Sequence, residues 1–203
     1  MHQGHGSRGG AAWELAGMTF TEPELRLLAA RGTLEAVLPG VYRPVDVPSD
    51  PAGRAAALGL LGGPVLAAGW TAVGPSAAWV HVGGPAPHRL HAAVPHFHRL
   101  PAGGAAPAWR LVQSDVAAGP TGAAPAEEDV QVLEGVRVTV PARTVEDLLL
   151  TGDPDDARRA ARVIAAHGAE GLRDRLDRPS RRPGSVGARR RLRMLLDALG
   201  ADG

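Results

Sequence analysis

The sequence predicts an α+β protein: a short helix-and-hairpin segment, then a small α/β domain, then a helical C-terminal end. Three observations carry this. Apolar residues alternate at period 2 in "TLEAVL", "RLHAAVP", "WRLVQSDV" and "VQVLEGVRVTV", as half-buried strands require. From residue 141 onward the chain reads as a succession of helices. With 27 glycines and 18 prolines in 203 residues, the elements are short and joined by many turns.

Residues 1–12, MHQGHGSRGGAA, show no apolar periodicity and read as a tail. A first segment spans residues 13–50. In it, Thr21 followed by Glu22, Pro23 and Glu24 is a helix start: a capping hydroxyl, acids in the first turn and an early proline. The helix runs through Leu25, Leu27 and Leu28 to Arg31-Gly32. "RGTLEAVLPGVYRP" (31–44) then reads as a hairpin, with Leu34, Ala36 and Leu38 on one face and Pro39-Gly40 supplying a type II turn. Helix plus hairpin is the end of a winged helix, here truncated, since "AAWELAGM" and "TEPELRLLAARG" alone precede it. The uncharged tip Leu38-Pro39-Gly40 suits closing a core better than entering a groove.

The α/β domain is expected over residues 51–180. After a Pro-rich connection (44–51), "PAGRAAALGLLGG" predicts a helix stopped by Gly62-Gly63-Pro64, "PVLAAG" a strand, and "PSAAWVHV" a helix from Pro75-Ser76. Strands follow at "RLHAAVP" and "WRLVQSDV", flanked by loops at 101–108 and 117–126. Two more lie in "VQVLEGVRVTV", broken at Glu134-Gly135. Helices are predicted over 141–150, 154–167, 169–177 and 185–199, the last inside an arginine-rich end at 181–203.

Composition removes several chemistries. There is no cysteine, hence no disulfide, thiolate nucleophile or cysteine-ligated zinc. All 22 basic residues are arginine, so a phosphate-loop lysine and a Schiff-base lysine are both excluded. Enrichment in Arg, Ala and Gly is what a GC-rich bacterial genome produces. No charged start precedes a continuous apolar run, and the uncharged stretch 55–80 carries too many glycines and prolines for a spanning helix. A soluble, cytoplasmic protein is expected. The net charge of +1 conceals a dipole along the chain. Residues 127–156 hold nine carboxylates against Arg137 and Arg143, whereas residues 157–193 hold twelve arginines against Glu170, Asp174 and Asp177.

"VTVPARTVEDLLL" (138–150) is the most informative stretch. Thr139 is positioned to cap a helix with Pro141 in its first turn. Arg143 and Asp147, four apart, share a face, either pinning the helix to the sheet or clamping a partner. His81 reads as a hydrogen-bonded packing residue. His88, His91, His96 and His98 cluster locally, but no acid lies between residues 51 and 114 to complete a metal set, so neither metal nor other cofactor is expected. Glu127, Glu128 and Asp129 read as solvated, and Ser76 and Ser114 lack the setting of an activated nucleophile. No catalytic constellation emerges, and no enzymatic activity is predicted. The cations Arg26, Arg31, Arg43, Arg181, Arg182, Arg189, Arg190, Arg191 and Arg193 are candidates for phosphate contact. The clusters at 181–193 equally suit a solvated face balancing the acidic stretch before it.

Three segments in order, "GTLEAVLPGVYRP", "SAAWVHVGG" and "GVRVTVPARTVEDLL", resemble the AbiEi-type antitoxins of bacterial type IV toxin-antitoxin (abortive infection) systems. The similarity covers roughly residues 18–200. It implies a winged-helix DNA-binding regulator that binds its own operator, and an α/β domain that opposes a nucleotidyltransferase toxin. Carried over, Val41, Tyr42 and Arg43 end the wing, and Thr139, Arg143, Thr144 and Asp147 form the antitoxin-domain motif. Larger relatives continue into a domain resembling very-short-patch-repair endonucleases. No acidic nuclease core follows "LLDALGADG" in this sequence, so nuclease activity is not expected. The alternative is a protein-interaction module that has lost DNA binding and sets its basic helical end against an acidic partner.

Overall fold

The structure, a computed structural model, describes residues 14–15, 17–66, 69–95, 108–113, 127–177 and 183–200. It is a mixed α+β protein with seven α-helices and two sheets among these residues. The chain divides between Ser49 and Asp50 into two compact units.

In the first unit, strand β1 (Glu14–Leu15) precedes helix α1 (Glu22–Ala30), followed by β2 (Leu34–Leu38) and β3 (Val41–Pro44). The strands pair antiparallel in the order β1-β3-β2. Helix α1 starts where its chemistry dictates. Glu24 reaches back to accept the Thr21 N–H at 2.8 Å and the Thr21 hydroxyl at 2.7 Å, relieving a backbone donor that the helix itself cannot satisfy. Buried Leu25 meets Leu34 and Tyr42 in a small core, and the Tyr42 hydroxyl donates to Glu22 at 2.8 Å.

The expected alternation of β2 fails at one point. Leu34 and Leu38 are buried, but Ala36 is exposed. Ala36 pairs with Tyr42 and Leu38 with Val41, so Val37 is an extra, bulged residue. The turn explains the bulge. Gly40 takes φ 73°, as a type II turn demands, but such turns match strand twist poorly. A bulge adds local twist and restores pairing beyond it.

The second unit runs α2 (Pro51–Gly62), β4 (Thr71–Ala72), α3 (Gly74–Val82), β5 (Leu90–Val94), β6 (Trp109–Gln113), β7 (Val130–Leu133), β8 (Val136–Thr139), α4 (Pro141–Thr151), α5 (Pro154–His167), α6 (Leu172–Asp177) and α7 (Ser185–Leu199). The sheet order is β6-β5-β4-β8-β7. Pairs β5–β6 and β4–β8 are parallel; β4–β5 and β7–β8 are antiparallel. Two expectations are corrected. Residues 64–66 of "PVLAAG" form a turn, because the Val65 and Leu66 N–H groups still bond the Gly62 carbonyl at the end of α2; the strand begins later, at Thr71. Thr139 does not cap α4, since it remains the last residue of β8 and Val140 occupies the N-cap.

Helix α3 is buried from Gly74 to His81, which its small residues and all-round apolar character allow. Ala78 joins Val145, Leu148 and Leu149 of α4, Ala160, Val163 and Ile164 of α5, Leu172 and Leu176 of α6, and Ala188, Leu192 and Leu196 of α7 in one core cluster. The three-and-four spacing on each helix is what places these residues on one face. The arginine-rich helix of the 181–203 segment therefore packs into the same core as the domain before it.

Candidate functional site

The motif "VTVPARTVEDLL" folds into two adjoining polar clusters. In the first, the His81 imidazole donates from Nε2 to the Thr139 carbonyl at 2.7 Å. The Thr144 hydroxyl donates to the same carbonyl at 3.0 Å, which leaves the Thr139 hydroxyl to donate to Thr144 Oγ1 at 2.8 Å. All three side chains are buried, so Thr139 and Thr144 latch the end of β8 to α3 and α4. Burial, together with the nearby His167 and Arg54, pushes the His81 pKa down to about 4, against the favourable pull of the Thr139 carbonyl.

The second cluster centres on Arg143. Its Nε donates to Asp147 at 2.9 Å and its Nη1 to Asp129 at 2.9 Å, with Glu146 at 4.0 Å. Arg175 of α6 binds the other oxygen of Asp129 and reaches Glu146 at 2.8 Å. Burial works against the Arg143 charge, but the carboxylates of Asp147 and Glu146 and the hydrogen bonds to Asp129 and Asp147 outweigh it, so its pKa is raised. Each member of this cluster lies against another, an arrangement that fastens α4 to α6 and to the start of β7. Asp129, expected to be solvated, is buried, because the single 3-10 turn at Glu127–Asp129 aims it inward. Sequence spacing reveals Arg143–Asp147 but not Asp129 or Arg175, whose partners stand 14 and 46 residues away.

The candidate phosphate contacts separate by environment. Arg26 is exposed and pairs with Glu22 at 3.0 Å; Arg31 is exposed at the end of α1. Arg43 is buried and paired with Glu35, and its Nε and Nη1 find no hydrogen-bond partner among the described residues. On α7, Arg189 donates to the Leu176 carbonyl at 2.8 Å and contacts Asp177 at 3.3 Å, while Arg191 donates to the Leu149 carbonyl at 2.8 Å. Arg190 and Arg193 are exposed. Arg181 and Arg182 lie outside the described residues. Two arginines not singled out from sequence close the end of α3. Arg54 donates to the carbonyls of Val80 and His81 at 2.9 and 3.2 Å, and Arg162 to that of Val82 at 3.0 Å. Cations at a helix C-terminus satisfy its last carbonyls and oppose its dipole.

Ser76 is fully buried and accepts the His91 N–H at 2.7 Å, a structural tie rather than a nucleophile's setting. Burial, and then Arg110, Arg159 and Arg89, lower the His91 pKa to about 4. His96, His98 and Ser114 fall outside the described residues. Among the described residues no three His, Asp or Glu side chains are grouped to hold a metal ion, and no helix is long and apolar enough to cross a membrane. No protein-family model matches the chain, and no curated protein or solved structure matches it either.

Proposed function

We propose that the chain is a non-enzymatic, DNA-binding regulator of the AbiEi antitoxin kind, with a shortened winged helix as its reading head. The observation that carries this reading is the first unit's plan: a strand, a helix and a hairpin, with strand order β1-β3-β2. In this unit Arg26 on α1 and Arg31 at its C-terminal end lie in solvent. The hairpin closes the unit's core through Leu34 and Tyr42, and Arg43, held by Glu35, belongs to that core rather than to DNA. The Arg26–Glu22 pair is exposed, and such pairs contribute little, so Arg26 exchanges readily from carboxylate to phosphate. The motif residues Thr139, Arg143, Thr144 and Asp147 hold the second unit together. Its counterpart in this reading is a nucleotidyltransferase-type toxin encoded beside it.

The test is fluorescence anisotropy with duplex DNA from upstream of the protein's own coding sequence, measured across salt. Two phosphate contacts give a shallow log–log slope, near −2 at about −0.9 per contact. Arg26→Ala with Arg31→Ala should remove the binding, whereas Arg190→Ala with Arg193→Ala should spare it. Absence of binding at low salt refutes the reading. One observation favours the interaction-module alternative: Glu14, Glu22, Glu24, Glu35 and Asp46 outnumber the three arginines of residues 14–49, and that charge balance repels a polyanion.

A further inference from the structure

We infer that the outward face of α7 is a docking surface for an acidic, amphipathic helix of a partner protein. The inward face of α7 is spent on the core through Ala188, Leu192 and Leu196. Arg189 and Arg191 tie its flanks to the carbonyls of Leu176 and Leu149. The helix is thus fixed from both sides, and its outward face carries the exposed Val186, Arg190, Arg193 and Met194, with Asp197 one turn beyond Arg193; Val186 is 80% and Met194 60% exposed. A single exposed apolar side chain needs no explanation. Here two lie on one face, eight residues and about 12 Å apart along the axis, with both exposed arginines between them.

That pattern discriminates among occupants. A phosphate backbone is recognised by cations and polar groups and gains nothing from Val186 or Met194. A face meant only for water has no use for either. A helix carrying apolar residues two turns apart and carboxylates between them satisfies all four side chains at once: it buries Val186 and Met194 and gives Arg190 and Arg193 charge-assisted partners. The surface shares no residue with the DNA contacts assigned to Arg26 and Arg31, and stands or falls independently of them.

The experiment uses the full chain and a fluorescent synthetic helix with leucines two turns apart and glutamates between them. A control peptide carries serine for each leucine, and a short DNA duplex serves as the competing probe. The leucine peptide should bind about tenfold more tightly than the serine control, since two apolar anchors are buried. Val186→Ser with Met194→Ser should erase that difference without altering salt dependence. Arg190→Glu with Arg193→Glu should weaken the leucine peptide by about tenfold or more and flatten its salt dependence. All four positions are exposed, so the melting temperature of both variants should match the parent's. Equal binding of the two peptides, or no binding of either, overturns the inference. So does a duplex whose binding is lost in the Arg190/Arg193 variant, which would make α7 a nucleic-acid surface.

Discussion

Asp129→Ala removes a carboxylate that serves two buried guanidiniums at once. The side chains of Asp129, Arg143 and Arg175 are 8%, 7% and 14% exposed, so water cannot replace the lost partner. Breaking a buried pair by deleting one member costs about 3–5 kcal/mol, because the remaining charge is left buried and undercompensated. Arg143 keeps Asp147 at 2.9 Å, and Arg175 keeps Glu146 at 2.8 Å, which places the expected loss near the lower end, about 3 kcal/mol. Asp147→Ala is milder. It leaves Arg143 bonded to Asp129 and takes no partner from Arg175, so one guanidinium loses a contact instead of two; a lost charged hydrogen bond costs about 1.5–3 kcal/mol. In urea unfolding both variants should lose stability, with Asp129→Ala the worse. Its melting temperature should fall by roughly 6–12 °C, at about 2–4 °C per kcal/mol for a chain of this size. Buried pairs are weakly screened, so the ranking should persist in high salt. Asp129→Ala within about 0.5 kcal/mol of the parent, or less damaging than Asp147→Ala, refutes the assignment of Asp129 as the bridge.

Acid should weaken the fold above the carboxylate range. The folded pKa values of His81 and His91 are lowered to about 4 from an ordinary 6.5, so below pH 6.5 the unfolded chain takes up protons first. Stability is full above pH 6.5 and falls as the pH drops toward 4, by up to roughly 3 kcal/mol for buried His81 and by less for half-buried His91, whose charge water partly screens. Urea midpoints between pH 7.5 and 4 check this, with His81→Gln reducing the slope; a flat profile contradicts it. Gly184→Ala should cost about 2–4 kcal/mol, combining left-handed strain with overpacking. Gly184 has φ 88°, and a Cβ there meets the Leu150 carbonyl oxygen at 2.6 Å. Gly171, with φ 68° and open space, should tolerate alanine at only about 1–2 kcal/mol; equal losses at the two sites would show that the α7–α4 approach is not tight.

Helix positions were legible because their signals are local. Thr21 with Glu24, Asp50 bonding the Gly53 N–H, Asp153 bonding the Asp155 N–H, and prolines opening α2, α4 and α5 all act within one turn. The shared face of Arg143 and Asp147 was legible for the same reason, since four residues make about one helical turn. What the sequence left open depends on groups far apart in the chain. Whether an arginine faces solvent or a carbonyl is not written in its neighbours: Arg190 and Arg191 are adjacent, yet one is exposed and the other bonds Leu149, 42 residues earlier. Arg43 sits beside Tyr42 at the end of a motif that promises a wing, and only pairing with Glu35 across the hairpin buries it. Asp129 belongs by sequence to a run of acids; Arg143 and Arg175 arriving from two other helices make it a buried bridge. Local sequence determined where the chain turns helical and which stripe it buries, because capping and periodicity act over a few residues. Tertiary structure decided the fate of the charges, because the cost of burying an ion depends on which opposite charge the fold brings to it.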